Sequence, residues 1–411
     1  MNICIIAMEY PFTLIDGERY EDCSAGGGAI MRDIAIGLQS KGHNVCIVSV
    51  TSNPKLSGTF YDNCIYVKKI YTPNPILQPL LVTKFIKQLC KDKNIDIIET
   101  NDFNPLLYEY IKDIPILLRQ HISYAYLKFI EQTIDSPYNI QDYEKLIRSY
   151  ALLIADSISG VSEYIQSTQA MFHNIPTSKL YGVIPNGVPI LYDEDKEISP
   201  HTIFCHGTMS SRKGTSDVCK IFESIHHFYN DTRLVLIGNN SQYFDVYCKN
   251  DIAPNILDKI QCFQALPRAE CINKISKYGI YISMSKLEAM SLSLLEAMAL
   301  KKPVIVLKNG CFENIVEHKV NGFVVNNSEE AIHYATQLLH NKELYEEISN
   351  KALEKSKEFT IDRTIDETEN WYRYVLKNRS VFIKKRDYNY ENLLKSYYNI
   401  LSKIINTNTL S

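Results

Sequence analysis

The stretch GIYISMSKLEAMSLSLLEAMALKKPVIVL, residues 279–307, decides how the whole chain is read. It opens on a β-branched apolar run at 279–283 and closes on another at 303–307, with a helical pattern over 292–301 between them. Strand, helix and strand in so short a span predict a parallel sheet covered on both faces. The loop after the first strand carries Glu288, and the helix opens near Ser291 with Glu296 in its first turns. At such a start the amides of Ser291, Leu292 and Ser293 lack intrahelical acceptors, and with the helix dipole they suit a diphosphate. Glu296, slightly deeper, is placed to accept from a ribose diol, and Glu288 to reach a hexose. A plainer reading stands beside this one. Ser293-Leu-Leu-Glu296 fits the S-x-x-E capping box, with Glu296 only closing the helix end and Glu288 a solvated loop charge.

The same alternation runs outward in both directions. Strands are expected at 2–7 (NICIIA), 44–50, 64–69, 95–99, 115–119 and 180–184, with helices at 27–41, 79–93, 122–134, 142–155 and 162–173. The segment 185–200 holds three Pro, one Gly and an acidic cluster, so it reads as a domain linker. The rhythm then restarts with strands at 202–206, 233–237, 259–263, 279–283, 303–307 and 323–325, and helices at 213–227, 268–276 and 292–301. Residues 328–378 are almost wholly helical, and 379–411 form a Lys- and Tyr-rich helical tail. Two α/β units joined by a linker follow, with ligands expected beyond the carboxyl ends of the strands and in an interdomain cleft.

Composition narrows the class. At 411 residues the chain has room for two or three domains with cores that need no staple. Its 44 basic and 47 acidic side chains leave a net charge of −3, so no global pull toward nucleic acid follows. Eleven Cys without a C-x-x-C pair predict reduced thiols in a cytoplasmic protein. The start MNICIIAMEYP lacks the pattern of a signal peptide, and no run reaches the ~18 apolar residues of a membrane span. The basic stretch 377–386 (KNRSVFIKKR) reads as a solvated helix face, with peripheral contact at an inner membrane surface as the other reading.

With these residues in view, the chain resembles the retaining glycosyltransferase family 4, of the GT-B fold. Glu288 and Glu296 with Ala297-Met298 and Pro303-Val304-Ile305 reproduce the order of its Glu-x7-Glu hallmark. Weaker landmarks fall in sequence: Gly26-Gly27-Gly28, Lys41-Gly42-His43-Asn44-Val45, Arg119-Gln120-His121 and Ala155-Asp156-Ser157 before Val161-Ser162. Ile184-Pro185-Asn186-Gly187-Val188, Gly207 with Lys213-Gly214, and Gly310 with Glu313 to Val316 and Asn321-Gly322 complete the set. Two departures stand out. Thr208 occupies the slot after Gly207 where the family usually has Arg, and Glu288-Ala-Met-Ser291 replaces Glu-Gly-Phe-Gly.

The resemblance implies domains at 1–184 (acceptor side) and 201–359 (nucleotide-sugar side), the linker 185–200, a closing helix over 360–378 and the tail 379–411. It implies transfer of a hexose, from a UDP-sugar by family frequency, to a hydroxyl acceptor with retention of configuration. Such an enzyme would serve the synthesis of a cell-surface polysaccharide, a glycolipid or a glycosylated metabolite. Lys213 and Arg212 would neutralise the departing diphosphate by electrostatic preorganisation. Two cations at the start of helix 213–227 oppose its dipole, which is anomalous without an anion, although a solvated pair is the plainer reading. Gly27 and Gly28 let backbone approach the diphosphate, or simply open a helix. His121, after strand 115–119, would touch the donor hexose, and a structural role is its alternative. Glu99, Asn101 and Asp102 would line the acceptor side. Gly238 and Leu266, after strands of the second unit, would frame the base.

No cofactor beyond the donor and no metal are expected. His226 and His227 point apart on one helix, and Asp193-Glu194-Asp195, though formally D-x-D, lies in the linker. A dinucleotide-dependent oxidoreductase would need G-x-G-x-x-G directly after the first strand, and the glycines arrive almost twenty residues later. A non-catalytic sugar- or partner-binding protein on the same fold is the remaining alternative.

Overall fold

The computed structural model describes residues 1–384 apart from Met8, 22–25, 73–77, 103–110, 112, 124–125, 128–129, 131–154, 193 and 195–196. The chain forms two compact units. The first is Met1–Pro185 together with the chain from Thr364 onward, and the second is Asn186–Arg363.

In the first unit, β1 (Asn2–Ala7), β4 (Asn44–Thr51), β6 (Ile65–Tyr71), β7 (Ile97–Asn101), β8 (Ile116–Gln120), β9 (Ser157–Gly160) and β10 (Leu180–Val183) run parallel. The sheet order is β10-β9-β8-β7-β1-β4-β6-β5, with β5 (Gly58–Asp62) antiparallel at the edge. Buried on both faces, β1 is apolar from Ile3 to Ala7. The helix Ile361–Lys377 belongs from Thr364 onward to this unit, where the buried Trp371 donates its indole N–H to Ser157 at 2.9 Å.

In the second unit, β11 (Ser199–His206), β12 (Arg233–Ile237), β13 (Ile260–Phe263), β14 (Tyr278–Ser283), β15 (Val304–Leu307) and β16 (Phe323–Val325) form an all-parallel sheet ordered β13-β12-β11-β14-β15-β16. This is the doubly wound order of dinucleotide-binding folds, and its direction reverses between β11 and β14. The helix Thr215–Phe228 covers one face through Val218, Ile221, Phe222 and Ile225, which recur at helical spacing and are all fully buried. Each such side chain contributes about 1.5–3 kcal/mol by leaving water. No helix among the described residues is long and apolar enough to cross a membrane.

Several boundaries differ from the sequence reading, each for a local reason. A hairpin, β2 (Phe12–Ile15) and β3 (Glu18–Glu21), occupies what reads as a loop. Its signal is Asp16-Gly17, both at positive φ (51° and 84°), the pair a tight hairpin turn requires. β9 escapes a periodicity search because Ser and Gly dilute it, yet all four of its residues are buried. β11 begins inside the expected linker, at Ser199. The helix expected at 213 begins at Thr215, because Gly214 sits at its cap in the left-handed region (φ 67°). Arg212 and Lys213 therefore precede the helix and do not oppose its dipole from within. The expected helices at 122–134 and 142–155 fall largely outside the described residues, as do Asp193, Asp195 and the tail beyond Lys384.

Candidate active site

Two loops flank the reversal point of the second unit: 207–214 after β11 and 284–291 after β14. One backbone and one side-chain hydrogen bond lock them together. Lys286 N–H donates to the Arg212 carbonyl at 2.9 Å, and the Arg212 guanidinium donates to the Leu287 carbonyl at 2.9 Å. Gly214 allows this approach, since a Cβ there would stand 2.2 Å from the Met284 carbonyl oxygen. Arg212 thus holds the loop that carries Glu288, a structural task the sequence did not reveal.

The clamp brings Lys213 Nζ to 2.5 Å from Glu288 Oε1. Burial pushes the Glu288 carboxyl up, but Lys213 and Arg212, helped by Ser285, hold it below its ordinary value, so it is ionised at neutral pH. Beside the pair, the helix Leu292–Ala299 starts at Ser291, whose hydroxyl accepts from Leu294 N–H at 3.3 Å. The amides of Leu292 and Ser293, in the first turn, have no acceptor inside their helix. Ser293 Oγ lies 2.9 Å from Tyr281 OH and 3.0 Å from Ser291 Oγ, a chain of hydroxyls across the helix start.

Glu296 is not a cap. Its Oε2 lies 2.9 Å from His206 Nε2, and its Oε1 accepts from Arg268 Nε at 2.8 Å. Burial again pushes the carboxyl up, and His206 and Arg268 together bring it below the ordinary carboxylate value. The capping-box reading fails on geometry: the cap is Ser291, which leaves Glu296 two positions beyond the residue that could reciprocate. His206 and Arg268 were missed in the sequence. His206 carried one signal, a polar residue directly after the apolar run Ile203-Phe204-Cys205 of β11; Arg268 carried none.

Cys205, His206, Gly207, Thr208, Lys213, Tyr281, Glu288 and Ser293 are among the residues lining a small cavity of about 20 Å³ at these strand ends. That volume suits one water molecule and is too small for a phosphate group. A larger depression, about 760 Å³, lies around Lys308, His318, Glu330 and Tyr334. It sits beside β15 and the edge strand β16, away from the reversal point, and of its lining groups Glu330 is engaged with Asn326 and His318 with the Val324 amide. The reversal point is therefore the better site. Gly238 directly follows β12, but a Cβ there would stand 1.7 Å from the Gly207 carbonyl oxygen, so its smallness serves loop packing. Leu266 is half-buried in the loop between β13 and the helix Arg268–Ile275.

The first unit gathers its own polar groups at strand ends. His121 N–H donates to Asp102 Oδ2 at 3.0 Å, and Gln169 ties both down by donating to the His121 carbonyl at 2.8 Å. His121 Nε2, Asp102 Oδ1 and both amide atoms of Gln120 are buried without a hydrogen-bond partner among the described residues. Burial, with Arg119 nearby, brings the His121 imidazole down to about 4, so it is neutral; burial pushes the Asp102 carboxyl up to about 7. Gly27 and Gly28 lie in the first turn of the helix Gly26–Ser40, where nothing among the described residues stands within 4 Å of a Cβ built on Gly27.

Glu99 requires a correction. It is fully buried, accepting from Arg119 Nε at 2.7 Å and from the Tyr372 hydroxyl, while Arg119 also donates to Thr368 at 2.8 Å. Its side chain points into the packing between the sheet and the C-terminal helix, so it lines no surface where an acceptor could lie.

Comparison with known proteins agrees with this fold. The model of glycosyltransferase family 4 matches residues 25–190, and that of glycosyl transferases group 1 matches 193–355. An uncharacterised glycosyltransferase of Haemophilus influenzae is 23% identical over 356 residues, covering 84% of this chain and 95% of that protein. Another, from Methanocaldococcus jannaschii, is 25% identical over 292 residues, covering 69% and 76%. Among solved structures, a glycosyltransferase from Rickettsia africae superposes with a TM-score of 0.66 at 20% identity, over 92% of this chain and 99% of that one. HepE of Anabaena, in complex with UDP-glucose, gives 0.67 at 15% identity, over 90% and 99%. Two successive models meeting at the unit boundary, on two doubly wound parallel sheets, place this chain among the GT-B glycosyltransferases of the family 4 type.

Proposed function

We propose that the chain transfers a hexose from a nucleotide sugar, a UDP-sugar in first place, to a hydroxyl acceptor with retention of configuration and without a metal. The observation that carries this reading is the Lys213–Glu288 pair, 2.5 Å apart at the reversal point and beside a capped helix start. As the glycosidic bond breaks, charge accumulates on the diphosphate. Lys213 retains further N–H donors beyond the one on Glu288, and with the Leu292 and Ser293 amides it would neutralise that charge. Glu288, ionised, would accept from hexose hydroxyls. Each Glu296 oxygen already takes one hydrogen bond, which leaves one acceptor position apiece for a ribose diol.

His121 and Asp102, with unpartnered buried atoms, are the first unit's candidates for holding sugar hydroxyls. The choice of UDP is supported by HepE, whose structures hold UDP or UDP-glucose. A place in polysaccharide, glycolipid or metabolite glycosylation at the inner face of a membrane follows from the same reading. Thermal-shift titration with UDP, GDP, ADP and their sugars tests it, followed by donor consumption with EDTA present and by NMR of the product anomer. At about a hundred times Kd the right nucleotide should add about 2.7 kcal/mol of stability. If no nucleotide stabilises the protein, or the product anomer is inverted, the proposal fails.

A further inference from the structure

The cavity beside Lys213 has a charge problem. Among the described residues lining it, Lys213 is cationic and Glu288 anionic, and they cancel; Thr208 brings nothing. A nucleotide sugar brings about two negative charges on its diphosphate, which need more than one shared ammonium to leave water.

One lining group can change that sum. His206 is 9% exposed, ends the central strand β11 and places Nε2 on Glu296 at 2.9 Å. Its other ring nitrogen, Nδ1, is buried and has no hydrogen-bond partner among the described residues. With Nε2 donating to the carboxylate, Nδ1 of the neutral ring is a bare lone pair; a proton added there creates an N–H that requires an acceptor. We propose that His206 takes up a proton when the diphosphate of a nucleotide sugar settles over this cavity, becoming the second cation of the site with Nδ1–H on a phosphate oxygen.

The proton comes from solvent, and the imidazolium then bridges Glu296 and the diphosphate. The groups facing the ring do not compete for it. Glu296 and Glu288 are ionised, and Arg268 and Lys213 are cations held on those carboxylates. Burial raises the Tyr281 hydroxyl, which lies in the ring set edge-on to the imidazole with centroids 5.8 Å apart. Burial also pushes the thiols of Cys205 and Cys271 up to about 12.

The inference rests on reading the cavity as a nucleotide-sugar site, and the experiment separates the two. UDP-glucose is titrated calorimetrically at pH 7.5 in two buffers of different ionisation enthalpy, then across pH 6–9; GDP-mannose and ADP-glucose follow if it gives no heat. A sugar diphosphate diester does not itself titrate in this range, so any proton taken up belongs to the protein. The expected result is uptake of up to about one proton, with affinity falling as pH rises, by at most about tenfold per unit. His206→Gln keeps a donor for Glu296 but cannot be protonated, so uptake should vanish and the pH dependence flatten. If Lys213→Met weakens binding while uptake is absent in the wild type or survives His206→Gln, the inference falls and the site reading stands. If none of the three probes binds, both fall. Should His206→Gln not fold, ¹⁵N spectra of histidine-labelled wild type decide, since a new imidazolium signal on adding UDP-glucose is required.

Discussion

Lys213→Met offers the most direct measure of what the buried pair does. The substitution keeps the length of the side chain and removes the charge. In the free protein it leaves Glu288, which is 7% exposed, with Arg212 and Ser285 as its remaining support. Removing one partner of a fully buried pair costs about 3–5 kcal/mol. Lys213 is 24% exposed and Arg212 remains, so a loss of about 1–2 kcal/mol is expected at pH 7. The sign with pH is fixed by the direction of the Glu288 shift. Its folded value lies below the ordinary 4.5, so the stabilisation is present above that value and lost as pH falls through the folded one. The gap between wild type and variant should therefore narrow in acid. Turnover should fall by about 10²–10³, or about 2.7–4 kcal/mol of transition-state stabilisation. Urea melts at pH 7 and pH 4, with donor consumption at saturating donor, read the two effects separately. A variant that loses the stability but turns over within threefold of wild type would refute the role in leaving-group stabilisation.

Three further expectations concern single residues of the two units. Ser291→Ala should cost about 1 kcal/mol in a urea melt by removing the helix cap, whereas Glu296→Ala should weaken nucleotide binding in calorimetry without unfolding the protein; the reverse pattern would restore the capping reading. Arg119→Met should destabilise by about 3–5 kcal/mol because it strands a fully buried Glu99, and adding Glu99→Gln should recover most of the loss in thermal melts; no recovery would mean that the ion pair is not the reason. Asp102, pushed from 3.8 to about 7, binds more protons folded than unfolded across that window, so stability should fall there as pH rises. Asp102→Asn should abolish that part of the pH dependence, as measured by chemical denaturation at pH 5 and pH 8.

Much of this protein is legible in its sequence. The two α/β units, the parallel character of their sheets and the Glu288/Glu296 spacing follow from local signals: apolar runs of strand length, helical recurrence, and a helix start after a strand. These survive because they depend on residues a few positions apart. The Asp16-Gly17 hairpin shows the same physics overlooked, since its turn chemistry was present in the sequence. Tertiary structure alone decided which groups meet. Glu99 and Asp102 stand three residues apart and read alike, yet Glu99 is neutralised inside the packing by Arg119 and Tyr372, while Asp102 keeps an unpartnered oxygen at a strand end. His206 and Glu296, ninety residues apart, are joined because the sheet places β11 beside β14 and the helix after β14 leans back toward the end of β11. No spacing in the chain encodes that meeting; the strand order does, because it is settled by burying both faces of the whole sheet at once.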